Sequence, residues 1–110
     1  MYSHPTNKQE CAEQLYDVYR SLARVAVPQE YINTVMHTTK HKTSLKRLRE
    51  KVISDGYQLM MHLEEAMKKS SLMNDHLWQQ KVVLFWNHFS FSVLRMNEYI
   101  QEHGLRYEQA

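Results

Sequence analysis

Apolar side chains along this chain recur at the spacing of helix turns, not at the alternate positions of strands. Cys11, Leu15, Val18, Leu22 and Val25 step by four, three, four and three residues, which puts them on one face of a helix. Thr6 or Asn7 can cap that helix, because Gln9 and Glu10 stand three residues later as a capping box requires. The pattern predicts a helix over about 8–26, ended by Pro28, which itself suits the first turn of the next. A short second helix over about 28–38 carries Tyr31, Ile32, Val35 and Met36 on one side. Thr38 to Ser44, β-branched and polar, reads as a connection.

Leu45, Leu48, Val52, Leu59, Leu63 and Met67 then keep a near-heptad register and predict a third helix over about 44–69. Asp55 and Gly56 fall inside it, either as a turn or as a weak point costing about 1 kcal/mol for the glycine; one unbroken helix is the preferred reading. Ser70 to Asp75 reads as a loop with several candidate N-caps. The fourth helix spans about 76–103, with Gly104 placed as a left-handed C-cap and Leu105 folding back on it. The expectation is a single all-α domain, a four-helix bundle or an irregular helical array.

That last helix departs from the ordinary amphipathic pattern. Trp78, Val82, Phe85, Phe89, Val93, Met96 and Ile100 form a core stripe with Trp86 at its edge. At 100° per residue, Leu77, Leu84 and Phe91 fall nearly opposite the stripe, with Val83 and Leu94 on the flank between. A helix apolar around most of its circumference is normally buried on all sides, yet 110 residues in four helices offer few neighbours to surround one member. Leu77, Val83, Leu84, Phe91 and Leu94 are therefore expected to meet another chain, in a homodimer or with a different protein. The competing reading is a helix packed centrally in a monomer.

Composition agrees with helices, since two glycines and two prolines are too few for the turns of a sandwich or barrel. Cys11 is the only cysteine, which rules out an intrachain disulfide and makes a reduced, cytoplasmic location the expectation. Met1 to Glu10 is polar, without a signal peptide's apolar core, and no run approaches the ~18 apolar residues of a membrane span.

The net charge of +2 hides a concentration: Lys40, Lys42, Lys46, Arg47, Arg49 and Lys51 stand against Glu50 alone, so this one segment exceeds the charge of the whole chain. Clustered cations of this kind neutralise nucleic-acid phosphates or an acidic protein surface, or only solvate a helix face. Lys46 and Arg47 sit in the predicted first turn of the third helix, where the macrodipole disfavours cations, which hints at a use beyond solubility. Residues 28–55 can be drawn as helix, turn and helix, as in DNA readers, but the connection lacks glycine and no Asn or Gln accompanies the basic side chains to read bases.

A search for chemistry is mostly negative. No histidine has Glu three positions before it, as a di-iron bundle would need. His37 and His41 have the spacing of two ligands on one helical face, but Thr38 stands where a zincin has glutamate. Cys11 lies on a core stripe, where a thiol is poorly activated, and two glycines so placed leave no phosphate-binding loop. His62 with Glu65 reads as a helix-surface pair, and Asp75 with His76 as a helix start. No cofactor and no enzymatic activity are expected. The leading expectation is a small regulatory or adaptor protein that binds another protein, sequestering a transcription factor or sigma factor, with a nucleic-acid-binding regulator using residues 40–51 as the alternative.

Overall fold

A computed structural model of the chain describes residues 3–26 and 41–103, and among these it is all-α, with three helices and no strand. They are α1 (Lys8–Ala26), α2 (His41–Lys68) and α3 (His76–Glu102), the last two joined by a 3-10 turn, Ser70–Asn74. The helix expected over 28–38, and with it His37, Lys40 and the Gly104 cap, lies outside the described residues.

α1 starts where the polar pattern places it. Asn7 is the cap, its Oδ1 accepting from the Glu10 N–H at 2.8 Å, and Glu10 returns the favour one residue further out: its Oε1 accepts from the Thr6 N–H at 2.9 Å and the Thr6 hydroxyl at 2.8 Å. Those two donors hold the Glu10 carboxyl below its ordinary pKa. α3 starts on Asp75, whose Oδ1 accepts from the Trp78 N–H at 3.0 Å.

α2 begins at His41, three residues before the expected start, so Lys42 and Thr43 belong to the helix and not to a connection. With neither Gly nor Pro in that stretch, nothing in it compels a stop, and β-branching at Thr43 costs only tenths of a kcal/mol. α2 runs unbroken through Asp55 and Gly56, as preferred from the sequence.

α2 is the central helix, packed against both α1 and α3. Cys11, Val18 and Val25 from α1, Val52, Leu59, Leu63 and Ala66 from α2, Met73 from the turn, and Trp78, Val82, Trp86, Phe89 and Met96 from α3 form one buried cluster. At about 1.5–3 kcal/mol for each large side chain removed from water, this cluster is the main source of stability. Trp86, expected at the stripe's edge, is buried, and its indole N–H donates to Gln14 Oε1 of α1 at 2.7 Å; Phe85 and Val93 are only half-buried. The core face of α3 is thus turned toward α1 relative to the expectation, because a buried indole needs an acceptor and Gln14 supplies one.

All three helices come together at Gly56. A Cβ there would lie 2.8 Å from Leu22 Cδ2 of α1 and 2.9 Å from Phe89 Cε1 of α3. One position earlier, the nearly fully buried Asp55 carboxylate accepts from Lys51 Nζ at 2.9 Å and from the Ser92 hydroxyl of α3. A polar tie therefore sits inside an otherwise apolar seam.

Candidate interaction surfaces

The outward side of α3 carries large apolar side chains in water. Leu77 is 69 % exposed, Leu84 49 %, Phe91 59 % and Leu94 52 %, while Val83, expected with them, is half-buried. Val83 lies closer to the core face, toward α1, so neighbouring side chains partly cover it. Leu77, Leu84 and Phe91 recur every seventh residue and line up along about 21 Å of helix. Leaving each in solvent forgoes on the order of 1–2 kcal/mol of transfer free energy. The guanidinium of Arg95 lies 5.9 Å from the Phe91 ring centre and partly screens it.

Two of the described cations of the basic segment are engaged within the fold. Arg49 is half-buried and its Nε donates to the Val25 carbonyl at 3.2 Å, so it satisfies one of the orphan carbonyls in the last turn of α1. Lys51 is exposed but its charge is answered by Asp55, four residues on. Lys46 and Arg47 are exposed and Lys42 belongs to the first turn of α2. Because α2 starts at His41, Lys46 and Arg47 lie beyond its first turn, where the macrodipole has little hold on them. Their placement no longer runs against local preference.

Between α1 and α3 runs a groove of about 400 Å³. Trp86, Phe89, Val93 and Leu94 line one side, and Asp17, Arg20, Ser21 and Arg24 the other, with Ser90 and Asn97 among its polar groups. Its charge is mixed, with Asp17 beside Arg20 and Arg24.

The other reactive side chains are absorbed by the fold. The Cys11 thiol is fully buried and donates to the Leu63 carbonyl at 3.1 Å, and burial pushes its pKa up. His62, expected to pair with Glu65, instead packs its ring 4.6 Å from that of Phe85, centre to centre, with Nδ1 2.8 Å from the Gln58 carbonyl. Tilted against the Phe85 ring, the imidazole is partly removed from water, as it would not be in an exposed ion pair. Among the described residues no group of three or more His, Cys, Asp or Glu side chains converges to hold a metal ion, and no helix is long and apolar enough to cross a membrane. His37 is outside the described residues, so the His37/His41 pair is not placed.

Sequence reasoning found the exposed face of α3 but missed the Lys51–Asp55–Ser92 cluster. The i, i+4 spacing of Lys51 and Asp55 was a visible signal; Ser92, 37 positions away, was not. No family model matches the chain, and neither a curated protein nor a solved structure matches it.

Proposed function

We propose that this is a small regulatory or adaptor protein that acts by binding other protein chains, as a homodimer that sequesters a transcription factor or sigma factor in the cytoplasm. The observation that supports this reading is the outward face of α3, where Leu77, Leu84, Phe91 and Leu94 are all about half exposed or more. Exposed apolar residues are ordinary when scattered singly; four along one helix face make a patch of the kind that marks an interface. The finer architecture, a four-helix bundle, would require the helix expected over 28–38.

The alternative, a nucleic-acid-binding regulator using residues 40–51, has less support. Arg49 caps α1 and Lys51 is paired with Asp55, which leaves Lys46 and Arg47 as the exposed cations between residues 43 and 51 that are not engaged in those two contacts. Phosphate contacts from those two side chains alone would give a shallow salt dependence.

The test compares wild type with Leu77→Glu/Phe91→Glu, both confirmed folded by circular dichroism, in recovery of bound protein from cell extract. The expected result is a protein retained by wild type and lost by the variant. Retention unaffected by the two substitutions, or steep salt-dependent retention of nucleic acid that requires Lys46 and Arg47, would overturn the proposal.

A further inference from the structure

We infer that the occupant of the α3 face is a second copy of this chain, paired antiparallel about a two-fold axis that passes beside Leu84. The inference rests on the protein-binding reading above and adds partner, orientation and register to it. Leu77, Leu84 and Phe91 are spaced seven apart on both sides of Leu84, so antiparallel pairing sets Leu84 against its own copy and Leu77 of each chain against Phe91 of the other. The same patch meets itself, as a two-fold interface requires, and a seven-residue step suits a shallow crossing of two helices.

Charge chooses the direction. The apolar row gives way toward the C-terminal end of α3 to the exposed Glu98 and Glu102. Antiparallel pairing brings Glu98 and Glu102 of each α3 to the N-terminal end of the other, the positive end of its macrodipole, and keeps each of these charges away from its own copy. Parallel pairing would set Lys81, Arg95 and Glu98 each beside its own copy, a row of like charges that suppresses association.

The exposed area also fits. Leu77, Leu84, Phe91 and Leu94 together present on the order of 400 Å² of apolar surface per copy, taking ~200 Å² for each large side chain. A standard interface takes ~800 Å² from each partner, a little over half of it apolar.

Cysteine cross-linking of the full chain tests this directly, because Cys11 is buried and does not compete. Leu84→Cys is expected to oxidise to a covalent dimer, since residues on the axis approach within the ~7 Å Cα separation of a disulfide. Leu77→Cys alone is expected to stay uncrosslinked, its two copies lying ~21 Å apart along the axis, while a mixture of Leu77→Cys and Phe91→Cys forms the mixed dimer. Sedimentation should show wild type as a dimer and Leu84→Glu as a folded monomer. Self-cross-linking of Leu77→Cys as readily as Leu84→Cys would mean parallel pairing and overturn the inference. A monomeric wild type overturns it too; if Leu77→Glu/Phe91→Glu still abolishes capture of another protein, the protein-binding reading survives on its own.

Discussion

Gly56→Ala sets two well-known effects against each other at one position. The residue lies in the middle of α2 in ordinary helical backbone, where Ala is favoured over Gly by about 1 kcal/mol. On propensity alone the substitution stabilises. The added methyl, however, would stand 2.8 Å from Leu22 Cδ2, 3.2 Å from Leu22 Cδ1 and 2.9 Å from Phe89 Cε1, so it is pinched between α1 and α3. Leu22 is half-buried and its methyls can swing aside; the Phe89 ring is almost fully buried and can yield only by shifting as a rigid whole. Overpacking of this kind costs about 1–3 kcal/mol, and with contacts from two helices the upper part of that range applies. The net expectation is a loss of about 1–2 kcal/mol, or a fall in Tm of roughly 4–8 °C for a chain of this size. Urea denaturation monitored by circular dichroism measures it, and in a Leu22→Ala background the cost of Gly56→Ala should shrink by at least ~0.5 kcal/mol because one wall has been removed. A Gly56→Ala midpoint equal to or above that of wild type would show that helix propensity, not interhelical space, governs this position.

Other consequences are as direct. Glu10 has a lowered pKa in the folded chain, so its contribution to stability is complete above the unfolded value near ~4.3 and is lost as pH falls through the lower folded value; the stability gap between wild type and Glu10→Gln should therefore narrow from pH 6 to pH 3, and a pH-independent gap would refute this. Arg49→Ala should cost about 1 kcal/mol by uncapping the Val25 carbonyl, while Lys46→Ala and Arg47→Ala stay within about 0.5 kcal/mol; equal effects in thermal melts would contradict the division of the basic segment. Ser92→Ala removes a hydrogen bond to a buried carboxylate and should destabilise by about 2 kcal/mol, with Asp55→Asn in the same background adding less than it does alone. The Cys11 thiol should react with a disulfide reagent only at the rate of unfolding and react at once in denaturant; rapid labelling of the native chain would mean that the α1–α2 seam opens readily.

Much of the fold could be read directly from the sequence because it depends on local periodicity. The α1 stripe, the Asn7 and Asp75 caps, the continuity of α2 through Gly56 and the surplus apolar face of α3 all follow from residues within a turn or two of each other. What escaped depends on partners distant in the chain. Arg49 looks like any member of a basic run until the end of α1 is brought against it, 24 positions away. Trp86 looks like a residue at the edge of a stripe until Gln14 supplies an acceptor for its indole. Asp55 looks like a helix-weakening surface residue until Ser92 is opposite. In each case a polar group found its place through tertiary geometry, to which hydrophobic periodicity is blind.

Asp55 and Gly56 together give α2 and α3 a fixed alignment. An apolar seam of Leu, Val and Met tolerates sliding by a turn or a heptad with little change in buried area. Asp55 does not, because moving α3 one turn either way would set His88 or Met96 opposite its carboxylate in place of the Ser92 hydroxyl, and a buried carboxylate stripped of one donor is costly. Gly56 enforces the same position by shape, offering a notch in which the Phe89 ring edge of α3, three residues before Ser92, is seated beside Leu22 of α1. Two neighbouring residues, one acting by charge and one by the absence of a side chain, thus index the helices like a pin and a keyway. The spacing of Leu77, Leu84 and Phe91 on the outer surface is held in place against the rest of the molecule by that inner alignment.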